Sequence, residues 1–260
     1  MESEYLIQQA LSFVNPLQLP LELWLGVAAA KFVAEELLNV VLLGFLSAIS
    51  YTKLPSRDPK PIIKGLEKLE LKDYTFLAVN QAVELIFLLH LAKFGLTLPY
   101  LPEDLNFMNT VVAFYATIYL DDFFYYFLHR FLHVPAVYPY VHKHHHRQPL
   151  PYRGYTDAAN ESPIEQILGL LCVWVTVQIV TTYIGFHALG LFAFFAVYAV
   201  LAYLNHTPYD IQLGFIGVDY TVRAHETHHR MLRGNYAQNT MIFDKLFGTY
   251  IDYPTRKSED

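Results

Sequence analysis

Residues Asp121–Arg147 read DDFFYYFLHRFLHVPAVYPYVHKHHHR, and six of the chain's twelve histidines fall in the eighteen residues from 129 to 146. His129 and His133 are four apart, so on a helix both imidazoles leave one face about one turn apart. His142, His145 and His146 repeat that geometry at spacings of three and four. The same pattern returns downstream as His225, His228 and His229 in the run HETHH. Eight histidines so spaced read as metal ligands.

The reason is coordination chemistry. A neutral imidazole offers one ring nitrogen to a metal while the other donates a hydrogen bond, and nitrogen ligands suit iron, zinc, copper or nickel. Adjacent histidines diverge by about 100 degrees on a regular helix and cannot easily reach one ion, but they can serve two ions side by side. Each H-x2-H-H box then supplies both members of a pair, with His129 and His133 split between them. Asp122, seven residues before His129, falls on its face and is a candidate acceptor for a ligand N–H. His90, His144 and His187 stand outside the pattern and read as core or surface residues. Tyr125, Tyr126, Tyr138 and Tyr140 read as an interfacial aromatic belt.

Around this stretch, 54% of the 260 residues are hydrophobic and only 16% charged, with a mean hydropathy of +0.25. That is too apolar for an ordinary soluble domain and predicts a membrane protein. A single cysteine, Cys172, excludes an intrachain disulfide and a thiolate cluster, and a net charge of -6 gives no reason to expect nucleic acid. Leu21–Tyr51 is long enough to span a bilayer, with Lys31 and Glu35 placed to pair at i, i+4 beside Glu36. Tyr74–Leu98 carries Asn80, Gln81, Glu84, His90 and Lys93, which predicts packing inside a bundle. Asn106–Leu120 begins a segment that runs into the first histidine box. Gln166–Asn205 holds no Asp, Glu, Lys or Arg over 40 residues, enough for two spans joined near Gly185–Gly190. The fold class expected is all-α, a polytopic membrane helical bundle of four to five spans with a cytosolic helical cap carrying a dimetal site.

Charge orients this bundle. If all boxes reach one site, six Lys and Arg in 52–72, four in 129–162 and six after His206 lie on the site face. Residues 1–18 and 96–106, on the opposite face, hold none. Positive charge marks the cytoplasmic side, so the site faces the cytosol and the N-terminus lies across the membrane. His206, in LNHTPYD at the exit of the hairpin, falls on the site face and becomes a ninth candidate ligand.

The runs HRFLH, HKHHH and HETHH, the intervening histidine of NHTPYD and the tail NYAQNTMIFDKLFGTY resemble the fatty acid hydroxylase and sterol desaturase superfamily of integral membrane di-iron enzymes. The resemblance covers about Asn106 to Tyr250. It divides the chain into N-terminal membrane segments and a basic connector (1–105), a catalytic domain (106–250) and a polar tail (251–260). By position it implies ligands at His129, His133, His142, His145, His146, His206, His225, His228 and His229. It further implies two iron ions, dioxygen as co-substrate, and electrons passed from NAD(P)H through cytochrome b5 or its reductase. The activity implied is hydroxylation or desaturation of a lipid from the bilayer, of sterol or fatty acyl type, with an endoplasmic reticulum location. Two departures stand out: Ser162-Pro163-Ile164-Glu165 where members often have His-Pro-x-Glu, and Ala237 where the tail usually has glycine. Asn235, Tyr236 and Asp244 match the tail and read as packing residues of the cap.

Two other classes compete. His225-Glu226-Thr227-His228-His229 also satisfies H-E-x-x-H, the zinc protease pattern with Glu226 as general base; Glu226 is otherwise a candidate partner behind the ligands. That pattern leaves His129 to His146 unexplained. A histidine-rich metal transporter needs polar ligands within its spans, whereas these boxes lie at span ends.

Overall fold

The computed structural model describes residues 21–49, 52, 54, 68–147, 153–215 and 218–253. Residues 1–18, most of the basic connector with Lys53, Arg57, Lys60 and Lys64, and the tail beyond Tyr253 lie outside the described residues, so the charge argument that uses them is not addressed by the fold.

The chain is predominantly helical. Helix α1 is Leu21–Ala48 and α2 is Leu71–Gly95. Helix α3, Ala113–Leu132, continues without a break from a π-helical turn at Met108–Val112. Short turns follow at α4 (Tyr138–Val141), a 3-10 turn (His145–Arg147) and α5 (Tyr155–Ala158). Helices α6 (Pro163–Tyr183) and α7 (Ala188–Leu204) form the expected apolar hairpin. Its break, at Ile184–His187, is tighter than predicted, because Gly190 lies inside α7. There a Cβ would come within 3.1 Å of the Asn109 carbonyl oxygen, so glycine permits the close approach of α7 to the start of α3.

Leu71–Gly95, Met108–Leu132 and Pro163–Tyr183 are long and apolar enough to cross a membrane, while α7 is apolar but only 17 residues long. Helix α1 has the length, and Lys31, Glu35 and Glu36 interrupt its apolar run. Helix α3 packs against α6 and α7, and α2 packs against α6. Ile118, Val173, Phe194 and Leu201 centre one apolar cluster, and Ala113, Val177, Val180 and Leu191 the other.

The polar groups of α2 divide. Asn80 is buried and donates to the carbonyl oxygens of Ala159 and Glu161, both at 2.9 Å. Gln81 and Glu84 face α1, where Lys31 pairs with Glu35 at 2.6 Å, as its spacing predicts, and with Glu84 at 2.9 Å. His90 and Lys93, expected inside the bundle, are exposed instead, although His90 lies edge-on to Trp174 at 4.6 Å. In the same last turns of α2, Leu91 and Phe94 pack against the second apolar cluster.

One element has no counterpart in the sequence reading. Gln212–Phe215 (β1) and Val218–Thr221 (β2) pair antiparallel between the hairpin and the third box, with Leu213 opposite Tyr220. Tyr220 is buried and donates to the Leu201 carbonyl at 2.9 Å, fixing the hairpin to α7. Helix α8, Val222–Met231, follows directly and carries the third box; α9, Ile242–Leu246, closes the cap.

Candidate metal centre

The three boxes and His206 converge. The ligand-capable atoms of His129, His133, His142, His146 and His228 all lie within 4.8 Å of one another, and those of His145, His206, His225 and His229 form a second such group. Both later boxes divide as expected: His145 and His146, like His228 and His229, are neighbours that serve different groups. The first box does not divide. His129 ends α3 and His133 caps it one turn on, so both rings reach the same point. The second box departs from helical geometry, with His142 capping the single turn of α4 and His145 and His146 in a 3-10 turn.

In eight of the nine histidines, all but His145, the Nε2 atoms face one another. His129 and His142 approach to 3.0 Å, His142 and His146 to 2.8 Å, and His228 lies 3.1 Å from both His133 and His146. In the second group His225 lies 3.2 Å from His206 and 3.0 Å from His229.

The opposite ring nitrogens explain which way the lone pairs point. His129 Nδ1 donates to the Tyr236 carbonyl at 2.7 Å, His228 Nδ1 to that of Gly234 at 2.7 Å, and His206 Nδ1 to that of Ala202 at 3.0 Å. A carbonyl only accepts, so each of these neutral rings holds its proton on Nδ1 and turns a bare Nε2 inward. His142 Nδ1 meets Glu165 Oε1 at 2.5 Å, a carboxylate–histidine pair of the kind that orients metal-binding imidazoles. Lone pairs brought to 3 Å without a proton between them repel, and a shared cation resolves that repulsion.

Burial holds the rings neutral. It pushes His133 and His206 down to about 4. Burial, reinforced by neighbouring rings, drives His142, His145, His146, His225, His228 and His229 below the ordinary histidine value. All are therefore competent donors at neutral pH.

The first group offers five nitrogens, more than one tetrahedral zinc takes, and the second offers four. The donor set fits two metal ions side by side.

Several sequence expectations change at close range. Asp122 touches no histidine: it accepts from the backbone of Gln238, Asn239 and Thr240 at 2.8–2.9 Å and from the Thr240 hydroxyl at 2.7 Å. Its face of α3 is covered by the returning tail, not by the boxes. Glu226 pairs with Arg230 one turn later and so lies away from the histidine face of α8. Tyr125 lines a cavity beside His129, Tyr126 is buried against Phe247, and Tyr138 stacks on His133; of the predicted belt only Tyr140 is exposed.

Other readings stand. His144 bonds Asn160 and Asp73, and His187 caps α7. Asn235 and Asp244 pin the tail: Asp244 accepts from the amides of Tyr236 and Ala237, both at 2.8 Å. Ser162 caps α6 by accepting from the Glu165 amide at 3.2 Å, thereby setting the carboxylate that meets His142. Glu165 and the carbonyls of Ala202, Gly234 and Tyr236 were the functional contacts the sequence did not single out; carbonyls leave no trace in residue identity. The nearest signal was the glycine of the Arg233-Gly234-Asn235 turn. There Gly234 and Asn235 take positive φ, and a Cβ on Gly234 would run into the Thr249 carbonyl oxygen.

A helical chain with three candidate membrane spans and nine histidines gathered at their ends defines the class. The profile of the fatty acid hydroxylase family matches residues 114–249, and the chain belongs to that family. It is 29% identical over 137 residues to rat methylsterol monooxygenase 1, covering 52% of this chain and 45% of that one. It is 27% identical over 213 residues to methylsterol monooxygenase erg25A of Aspergillus fumigatus, covering 76% and 67%. It is also 29% identical over 168 residues to rice very-long-chain aldehyde decarbonylase GL1-8, covering 62% and 59%. The chain spans about half the length of several of the curated relatives it matches. No solved structure matches it.

Proposed function

We propose that this protein is a membrane-bound non-haem di-iron oxygenase that hydroxylates or desaturates a lipid, using dioxygen and electrons from an external donor. The observation that carries this is the sorting of nine histidines into two adjoining groups, within each of which the ligand-capable nitrogens lie within 4.8 Å of one another. His129, His133, His142, His146 and His228 would hold one iron, and His145, His206, His225 and His229 the other. Bound there, the iron pair supplies the capacity to activate dioxygen against an unactivated C–H bond.

The chain's own residues hold, orient and enclose. Glu165 and the carbonyls of Ala202, Gly234 and Tyr236 fix ring orientation and tautomer. A cavity of about 290 Å³ adjoins the centre and is lined by His129, His145, His206 and His225 on one side and by Phe87, Val173 and Phe195 on another. Its apolar walls between spans offer a lipid a water-poor place beside the metals. Residues 106–250 form the catalytic domain, and the segments before them complete the cavity through Glu35, Leu38, Glu84 and Phe87.

The names of the relatives support a sterol or related lipid. The charge pattern supports a cytosol-facing site and an acidic donor such as cytochrome b5, fed from NAD(P)H and docking on the basic face, and the family resemblance supports an endoplasmic reticulum membrane. The zinc protease reading loses its general base, because Glu226 is engaged by Arg230. The test is His145→Ala and His228→Ala, one from each group, in protein that still inserts in membranes. Both should lose lipid oxidation and bound iron; a variant with full turnover would overturn the assignment.

A further inference from the structure

Helix α9 is built inside out for an element in water. At about 100 degrees per residue, Ile242, Phe243 and Leu246 share one side of the turn, and Asp244 and Lys245 take the other. The polar side is engaged within the protein: Asp244 is fully buried and accepts from the Tyr236 and Ala237 amides, and Lys245 pairs with Asp219 on β2. The apolar side is left open. Leu246 is 69% exposed, and Ile242 and the following Phe247 are exposed beside it.

This open side joins a larger one. Phe243 meets Phe123 and Phe247 meets Phe127, each edge-on at 5.4 Å. Both partners belong to α3, within the candidate span Met108–Leu132. Phe123 stands nine residues before the end of α3, or about 14 Å at 1.5 Å per residue, so α9 lies abreast of the span and not beyond its end. Phe127 and Phe131, one turn apart on α3, are exposed and extend the surface. On the other flank an apolar groove of about 510 Å³ runs between α3 and α6, lined by Ala116, Leu120, Val180 and Ile184 and reaching Phe243. Both its walls are candidate spans, so whatever bathes the groove touches α9.

We propose that Ile242, Phe243, Leu246 and Phe247 insert into the hydrocarbon of the leaflet on the histidine side, so that α9 anchors the tail to the bilayer. A contiguous exposed apolar surface marks a membrane or protein contact, and its continuity with two spans selects the lipid. Lys245, half exposed at the edge of this face, keeps its ammonium at headgroup level. The anchor bears on the metal centre. Between α8 and α9 the tail supplies the Gly234 and Tyr236 carbonyls that hold His228 and His129. Asp244, which accepts from the Tyr236 amide, ties the inserted turn to the residue that orients a ligand. The proposal rests on the membrane reading of the helices and not on the oxygenase reading.

The test is a depth measurement by spin labelling of the full chain in phosphatidylcholine vesicles. Cys172, the only cysteine, is replaced by serine, and a nitroxide is placed in turn at Leu246→Cys, Ile242→Cys, Val175→Cys and Glu103→Cys. Val175 is exposed on α6 within a candidate span, and Glu103 is exposed between α2 and α3. Oxygen partitions into hydrocarbon, whereas a polar nickel chelate is excluded from it. The oxygen-to-nickel accessibility ratio at 246 and 242 should lie with that at 175, several-fold above that at 103; where the two differ, 246, the more exposed, decides. A ratio equal to that at 103 overturns the proposal. So does a label that neither reagent reaches, which with dipolar broadening between labels would show a second copy of the chain covering this face. Nickel reaching 175 as freely as 103 would sink the membrane reading of α6 and the proposal with it, whereas nickel reaching 246 but not 175 sinks the proposal alone.

Discussion

Asp122 is the sharpest place to perturb the architecture without touching a histidine. It is fully buried on α3 and holds the returning tail by four hydrogen bonds. Oδ1 accepts from the Gln238 and Asn239 amides, and Oδ2 from the Thr240 amide and hydroxyl. Asp122→Ala leaves these donors without an acceptor. Each buried unsatisfied donor costs about 1–3 kcal/mol, so the three that remain when Gln238, which water partly reaches, is left out total about 3–9 kcal/mol. At about 2–4 °C per kcal/mol for a chain of this size, the midpoint should fall by at least about 6 °C. Asp122→Asn should fall between, because either orientation of the amide sets its NH2 against two of the four donors. The assay is thermal unfolding of detergent-purified protein by intrinsic fluorescence, with iron content measured in parallel. Both variants should also lose iron, since the segment they release begins at Tyr236, whose carbonyl orients His129. An Asp122→Ala protein melting within 2 °C of the unaltered one, or an Asp122→Asn protein indistinguishable from it, would refute this account of the tail.

Glu226→Gln keeps the Arg230 contact as a neutral hydrogen bond and lies off the histidine face, so lipid oxidation should change less than threefold; a loss above a hundredfold would return Glu226 to the site. Gly234→Ala meets the Thr249 carbonyl and forces positive φ on alanine. Destabilisation of about 1–3 kcal/mol, with weakened iron retention through His228, is expected, and unchanged melting would contradict the turn. In metal-stripped protein, burial holds His206 at about 4 against about 6.5 unfolded, so between those values the unfolded chain binds more protons and stability rises with pH. Acidification from pH 7 to 4.5 should cost about 2.4 kcal/mol from this group alone, and a flat stability profile over that range would show that the ring is not buried neutral.

The boxes were legible because coordination needs side chains, and side chains are what a sequence records. Spacing placed His145 apart from His146 and His228 apart from His229, and apolar length placed the hairpin. The split of His129 from His133 failed because a helix end puts i and i+4 on one side, and nothing in the spacing says where the ions sit. Asp122 was read from its helical face alone, but which element covers a face is a tertiary fact. The tyrosines erred the same way: Tyr126 has the composition of a membrane belt but is buried, and Tyr138 stacks on His133. The hairpin of β1 and β2 escaped notice because each strand is four residues long, beside a glycine that reads equally well as a loop.

The central claim is a pair of irons on nine histidines, and the most direct measurement is the metal content of detergent-purified protein, with Mössbauer spectra of iron-57-grown material. About two irons per chain, antiferromagnetically coupled when oxidised, are predicted. One tightly bound zinc per chain, with no oxygen uptake after reconstitution with ferrous iron, would contradict it.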